Sequence, residues 1–265
     1  MKGDFADLTR PADVAMRQDA IVALAREQGR VTVDDLAAHF DVTPQTIRRD
    51  LNELAARQIL QRVHGGAVFS TGVANLEYEK RRQVAAGEKA AIGRAAAALI
   101  PEGASLFVNI GTTTEAVSEA LLSHDALMVI TNNINVANRM RLHPKFEVVI
   151  AGGVVRGSDG GIVGEAASDF IRQFKVDYAV IGASAIDADG ALLDYDFREV
   201  RVAQAIIQNA RHVILVSDAS KYERAAPVRI GHISQVATFV TDEAPAALAE
   251  VCHQHDVRLI ETAKG

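Results

Sequence analysis

The stretches Thr43-Pro-Gln-Thr-Ile-Arg-Arg-Asp-Leu51 and Arg62-Val-His-Gly-Gly-Ala67 decide how this chain is read. Thr43 is suited to cap a helix, because its hydroxyl can accept from a free backbone N–H in the first turn. Pro44 suits the first helical position, where an N–H would be orphaned anyway. Ile47, Leu51 and Leu54 then recur at i, i+4 and i+7 and predict one apolar stripe. Gln45, Arg49 and Asn52 fall opposite it, with Thr46 and Arg48 on its flanks. Arg, Gln and Asn are the side chains that read guanine and adenine edges in the major groove. Between Thr43 and Gly66, Arg48, Arg49, Arg57 and Arg62 outnumber Asp50 and Glu53, in a chain whose net charge is −6. A basic patch on an acidic protein is an electrostatic footprint for nucleic acid.

Upstream, Asp19 to Gln28 reads as one helix with Gly29 as its stop, and Val33 to Phe40 reads as a second. Asp41-Val42-Thr43 is the short turn into the third, which completes a helix-turn-helix whose second member enters the major groove. Ile59 to Val63 and Ala67 to Phe69 flank His64-Gly65-Gly66, a hairpin signal and hence a wing. The expected DNA contacts are Thr43, Gln45, Thr46, Arg48, Arg49 and Asn52, supported through the wing by Arg62, His64 and the Gly65 backbone. The competing reading is a helical hairpin with a solvated charged face. The agreement of cap, turn spacing, basic face and wing argues against it.

The 265 residues suggest a small domain plus a large one, and 49% hydrophobic with 23% charged residues is ordinary for a globular protein. Cys252 is the single cysteine, which excludes an intramolecular disulfide and suits a reducing compartment. No apolar run reaches membrane-spanning length and the N-terminus lacks a signal-type stretch, so a cytoplasmic protein without a membrane partner is expected. Residues 1–16 read as a frayed tail, 17–69 as the winged helix-turn-helix, 70–87 as a linker and 88–265 as an α/β domain. Within the linker, the charged run Glu77 to Arg82 reads first as a solvated helix face, and alternatively as a lever to the DNA-binding head.

From Glu88 onward the patterns alternate. Strand-like runs at Leu106–Ile110, Leu127–Ile130, Val148–Ile150, Tyr178–Ile181, Val213–Val216, Ala237–Val240 and Val257–Ile260 show little polar alternation, as in strands buried on both faces. Helical segments separate most of them, which predicts a parallel α/β sheet. Such sheets bind ligands beyond the carboxyl ends of their strands. There the sequence places Asn109, Gly111, Thr112, Thr113 and Thr114, then Asn132 and Asn133, Gly152 and Gly153, Gly182 and Ser184, and the run Ser217 to Lys221. A Gly-Thr-Thr turn that opens a helix offers N–H groups, hydroxyls and the positive dipole end to an anion. Taken alone, it could equally be a plain helix cap. Lys221, Arg198 and Arg156 are candidate cations for the same anion.

Enzyme signatures are absent from the sequence: there is no zinc motif, cysteine cluster or Gly-x-Ser-x-Gly elbow. Asp187, Asp189, Asp194, Asp196 and Glu199 cluster after the fourth strand-like run, where they could serve acid–base chemistry, bind ligand hydroxyls or simply face solvent.

Thr43–Leu54 with Arg62–Ala67 resembles the DNA-binding head of the DeoR-type bacterial repressors. Asn109–Val117, Thr131–Met140, Ala151–Phe174, Ser184–Arg201 and His212–Lys221 resemble the same family, with Ile130-Thr-Asn-Asn-Ile-Asn-Val-Ala-Asn138 and Asp159-Gly-Gly-Ile-Val-Gly-Glu165 as the most specific motifs. The resemblance implies a sensor domain with the ribose 5-phosphate isomerase fold, no cofactor, and release of operator DNA on binding sn-glycerol 3-phosphate or a related phosphorylated sugar. It implies that Gly111, Thr112 and Thr113 hold the phosphate with Lys221 nearby. Asn132, Asn133, Gly153 and Glu199 would then line the polyol side. Asn109 stands where relatives often carry Asp; an amide binds a hydroxyl but is a poor general base, which favours binding over turnover. Because helix-turn-helix proteins commonly read paired half-sites, a homo-oligomer, dimer or tetramer, is expected. An isomerase-like enzyme with a DNA-binding head is the alternative.

Overall fold

The computed structural model describes residues 11–28, 30–56, 60–63, 65–69, 78–222 and 224–264. Residues 1–10, the Gly29 stop, His64 and the stretch 70–77 lie outside the described residues. The chain divides into two compact units, Met1–Asn75 and Leu76–Gly265.

The first unit contains α1 (Pro11–Gln28), β1 (Arg30–Thr32), α2 (Val33–Phe40), α3 (Pro44–Ala56), β2 (Leu60–Val63) and β3 (Gly66–Phe69). The opening helix starts at Pro11 rather than Asp19, so residues 11–16 are helical and not part of a frayed tail. Thr32 caps α2 by accepting from the Asp35 N–H at 3.2 Å. Asp41 ends that helix in the left-handed region at φ 51, and its short polar side chain tolerates this conformation. The three strands form an antiparallel sheet in the order β1-β3-β2. The sequence reading missed β1, a three-residue strand too short to show a period. Gly66 has a steric reason: a Cβ there would lie 2.1 Å from the Val31 carbonyl oxygen on β1. Ile21, Leu36, Ile47, Leu51, Leu54 and Leu60 are buried together. Each fully buried aliphatic side chain contributes about 1.5–3 kcal/mol.

The second unit begins with α4 (Tyr78–Gln83) and α5 (Ala86–Ala97), so the expected linker 70–87 already contains helix. It continues through β4 (Ser105–Val108), α6 (Thr112–Ala120), β5 (Leu127–Thr131), α7 (Ile134–Met140) and β6 (Phe146–Ile150). The hairpin β7 (Val154–Val155) and β8 (Ile162–Val163) leads to α8 (Glu165–Ile171) and β9 (Val176–Ile181). Then come β10 (Ala185–Ile186), β11 (Ala191–Asp194), α9 (Phe197–Gln208), β12 (Ala210–Val216), β13 (Val228–His232), β14 (Thr238–Thr241), α10 (Ala246–Gln254) and β15 (Arg258–Glu261).

The seven strand-like runs of the sequence all join one sheet, in the order β15-β14-β12-β9-β4-β5-β6. Every pairing in it is parallel. Helices cover both faces, and two apolar clusters form, one around Phe107, Ile181, Leu215 and Phe239 and one around Ile92, Leu106, Val129 and Ile214. This explains the missing alternation, since strands buried on both sides need apolar residues at every position. The short strands β10, β11 and β13 make a small antiparallel sheet beside it. All carboxyl ends of the large sheet point to one edge, and the candidate polar residues follow them.

Candidate functional site

On α3 the Thr43 hydroxyl accepts from the Thr46 N–H at 3.2 Å, as a cap should. Ile47 and Leu51 are completely buried, which turns Gln45, Arg48, Arg49 and Asn52 outward as exposed side chains. Thr46 is half-buried and bonds to the Thr43 hydroxyl at 2.9 Å. Asp50, on the inner side, is buried and accepts from Arg17 Nε of α1 at 2.7 Å, and Gln18 adds a longer bond at 3.4 Å. Asp50 therefore does not oppose the outer basic face; its charge is answered from α1. Arg49 pairs with Glu53 at 3.3 Å, and both are well exposed, so that pair holds little energy and yields readily to a phosphate or base edge. The Gly65 carbonyl accepts from Val33 N–H at 2.9 Å and ties the turn before β3 to the start of α2. Gly65 itself lies at φ +77 with open space where a Cβ would project. Arg62 lies on β2, opposite Ala67. The face is thus a convex array of donors and amides, suited to a groove rather than to enclosing a small molecule.

The second candidate region is the carboxyl edge of the parallel sheet. Gly111 precedes α6 at φ +148, a conformation open to glycine, and no side chain caps the helix there. The first N–H groups of α6 therefore lie open at its positive end, with Thr112 and Thr113 in its first turn. Asn109 and Asn132 follow β4 and β5, and each has a buried Oδ1 without a hydrogen-bond partner among the described residues. Asn132 is oriented by donating through Nδ2 to the Ile162 carbonyl at 3.1 Å. After β12, Asp218 is buried; its Oδ1 accepts from the Ser220 hydroxyl and from Ser220 N–H at 3.2 Å. Its Oδ2 lies 3.9 Å from the Lys89 ammonium.

Lys221 is only 9% exposed, and its ammonium has no hydrogen-bond or ion-pair partner among the described residues. Burial, then the nearby Arg224 charge, pushes its ammonium down to about 8. A largely buried cation of this kind is stabilised by an arriving anion, because the anion restores the electrostatic partner that water supplies only in part.

A third cluster surrounds Arg156. Its guanidinium holds Asp159 with two bonds at 2.8 and 2.7 Å, Asp196 at 3.3 Å and Glu199 at 2.5 Å. Burial and the Asp194 charge drive Glu199 well above the usual carboxylate range, against the pull of Arg156. Asp194 is also raised by burial, and accepts from Ser184 at 3.0 Å and from Tyr195 N–H at 2.6 Å.

Residues 17–72 match the DeoR-like helix-turn-helix domain, and residues 84–243 match the DeoR C terminal sensor domain. The chain belongs to the DeoR family. Its relatives include the glycerol-3-phosphate regulon repressor of Escherichia coli (strain K12), 46% identical over 92% of this chain and 97% of that protein. The protein of the same name from Haemophilus influenzae is 45% identical over 93% of this chain and 96% of its own length. The HTH-type transcriptional repressor CsqR of Escherichia coli is 41% identical over 87% and 88%. Among solved structures, ribose 5-phosphate isomerase A from Methanocaldococcus jannaschii is similar over 52% of this chain and 55% of that one, at 14% identity and TM-score 0.40.

Within this DeoR chain, several sequence candidates have other work. Thr114 is fully buried and its hydroxyl donates toward the carbonyls of Asn109 and Gly111, at 2.7 and 2.8 Å. It shapes the loop rather than presenting a hydroxyl to a ligand. Asn133 is also buried; its Oδ1 accepts from Asn135 and Val136 N–H, and its Nδ2 donates to Glu115 at 3.0 Å. Arg156 is surrounded by carboxylates and Arg198 is held by Asp196 at 3.0 Å, so neither is an uncommitted cation for a phosphate. Gly152 is exposed with open space around it, whereas a Cβ on Gly153 would press on Ile162 at 3.1 Å. Of the acidic cluster, Asp187 and Asp189 are exposed as expected for loop carboxylates, but Asp194 and Glu199 are buried. Tyr78 and Arg81 belong to the charged run read from the sequence as a solvated helix face or a lever, but their partners were not foreseen, and Lys89, Glu115 and the full role of Asp159 were passed over. Only their spacing relative to distant strand ends could have flagged them.

Proposed function

We propose that this chain is a transcriptional repressor that binds operator DNA through α3 and leaves it when a phosphorylated polyol, sn-glycerol 3-phosphate, occupies the carboxyl edge of the parallel sheet. Family membership makes it a regulator and not an enzyme, and its 45–46% identical relatives carry the name of glycerol-3-phosphate regulon repressor. The observation that carries the effector reading is Lys221, a nearly buried ammonium without a partner among the described residues, at the sheet edge that also bears the open start of α6. A phosphomonoester supplies the missing charge, and its hydroxyls suit Asn109 Oδ1, Asn132 Oδ1 and Asp218 Oδ2, acceptors without a hydrogen bond among the described residues. Gly111, Thr112 and Thr113 hold the phosphate with Lys221, while Asn132, Gly153 and Glu199 border the polyol. No cofactor takes part.

At the head, Arg48, Arg49, Gln45 and Asn52 meet base edges and phosphates, with Thr43, Thr46, Arg62, His64 and Gly65 supporting the docking. Two half-sites call for a homo-oligomer, a dimer or a tetramer. No helix among the described residues is long and apolar enough to cross a membrane, and DNA as target places the protein in the cytoplasm.

Isothermal calorimetry on the full chain with sn-glycerol 3-phosphate tests the effector reading. Binding to the wild type and its loss in Lys221→Met support it. A thermal-shift panel in which another phosphorylated sugar stabilises the chain and glycerol 3-phosphate does not would replace the effector. Conversion of pentose or triose phosphate by the protein would contradict the regulatory reading.

A further inference from the structure

The short helix α4 is the first described element of the second unit, and it is fastened to that unit at three points. The Tyr78 hydroxyl donates to Glu115 Oε2 at 2.5 Å and accepts from Asn135 Nδ2 at 3.0 Å. Arg81 Nη2 donates to Asp159 Oδ2 at 3.2 Å, in a pair almost shut off from solvent. The Lys89 ammonium on α5 donates to the carbonyls of Arg81 and Val84, at 2.5 and 2.6 Å, and so closes the C-terminal end of α4.

Each fastener is shared with the candidate effector site. Glu115 lies on the helix that Gly111 opens and also accepts from Asn133 at the end of β5. Asp159 is gripped by Arg156, whose other contacts include Glu199. Lys89 sits beside Asp218, and with Thr112 it lines a cavity of about 410 Å³. We infer that Tyr78, Arg81 and Lys89 form a clasp on α4 whose grip is set by the effector site, so that a bound phosphorylated ligand loosens the segment leading to the DNA-binding head. This inference rests on the effector reading given above.

The competition behind it is electrostatic. Lys89 holds two neutral carbonyls. A phosphomonoester carries roughly −1.5 to −2 charges at neutral pH, and charge-assisted hydrogen bonds to it are about twice as strong as those to neutral acceptors. The ammonium is therefore drawn from α4 toward the anion. Arg81, Lys89, Lys221 and Arg224 interact electrostatically in this neighbourhood, with Asp218 as the acid that acts on both lysines. A dianion lowers the repulsion among these cations, which favours the same move. On the opposite side, Glu199 and Asp159 share Arg156, so hydroxyls that engage Glu199 alter the hold on Asp159 and hence on Arg81. The contacts at α4 thus differ in strength between two ligand states, as a coupling element requires.

Tyr78→Phe and Arg81→Gln remove fasteners without touching the proposed ligand contacts. Linkage then predicts a population already shifted toward the effector-preferring state. Without effector, operator affinity by fluorescence anisotropy should fall about tenfold in each variant, and calorimetric affinity for sn-glycerol 3-phosphate should stay equal or tighten. Arg81→Lys, which keeps the charge, should recover part of the operator binding. In the wild type, adding the effector should speed amide exchange in residues 78–85. If the effector binds and releases the wild type, yet both variants keep full operator affinity and full release, the clasp is overturned. Failure of the effector to bind the wild type at all overturns the effector reading, and the clasp with it.

Discussion

The outer face of α3 and the carboxyl edge of the parallel sheet present charge in opposite ways. On α3 the arginines and amides are exposed, come from one helical segment and need only the burial of Ile47, Leu51 and Leu54 to aim them. At the sheet edge the polar groups are buried and come from β4, β5, β12 and the loops after them, with free acceptors and an unpaired ammonium inside the fold. A phosphate backbone is met by a surface, where screening by water keeps each contact weak and many are summed. A small phosphomonoester must be met by a pocket, where low solvent access makes a few groups decisive.

The largest break in this contrast comes from the buried ion pair between Arg17 and Asp50 in the head. Arg17→Met leaves the Asp50 carboxylate, 3% exposed, without its cation. Losing one partner of a buried pair costs about 3–5 kcal/mol. Thermal unfolding followed by circular dichroism should show the first unit melting earlier, with operator binding lost and calorimetric effector binding intact.

Next in size, Arg49→Ala should weaken operator binding in a gel shift by roughly 10- to 100-fold, the equivalent of about 1–3 kcal/mol for a base contact. Stability should hardly move, because the exposed pair with Glu53 contributes little. Gly111→Val tests the other region alone. The residue sits at φ +148, and an added Cβ meets the Thr114 hydroxyl at 3.3 Å. The strain, on the order of 1–3 kcal/mol, should distort the start of α6, leaving a protein that binds operator but is not released by effector in the same gel shift.

The smallest effect is a titration. Lys221 loses its proton near pH 8 in the folded chain, well below its ordinary 10.5. Its lowered value means that the unfolded chain binds more protons between these limits, so its contribution to stability improves as pH rises through that window. Effector affinity should move the other way, falling up to about tenfold between pH 7 and 9 as the ammonium discharges while the phosphate remains a dianion. Calorimetry at the two pH values checks this; an equal affinity at both would contradict it.

The two regions also differ in how much of them is legible in the sequence. Thr43, Pro44 and the stripe of α3 are a local pattern, and the sheet strands announced themselves as uninterrupted apolar runs. The two-residue strands β7, β8 and β10 carry no periodicity, and α1 begins at Pro11 because a helix end is set by local chemistry that the apolar pattern does not reach. At the sheet edge the polar residues were visible, but not their obligations. Thr114 and Asn133 look like Thr112 and Asn132 in the sequence, and only packing shows that the former pair is committed to backbone and to Glu115. The same holds for Arg156 and Lys221. Both are lone cations in the sequence, yet among the described residues one is held by three carboxylates and the other by none. Arg81 sits in a charged run that reads as solvated, while its partner Asp159 is 78 positions away.

The proposed switch is an energetic coupling between the surface on α3 and the pocket at the sheet edge. Its most direct test is to measure operator affinity with and without sn-glycerol 3-phosphate, and effector affinity with and without operator, on the same protein. Each ligand should weaken the other by the same factor, of about 5- to 150-fold. Tight effector binding that leaves operator affinity unchanged would contradict it.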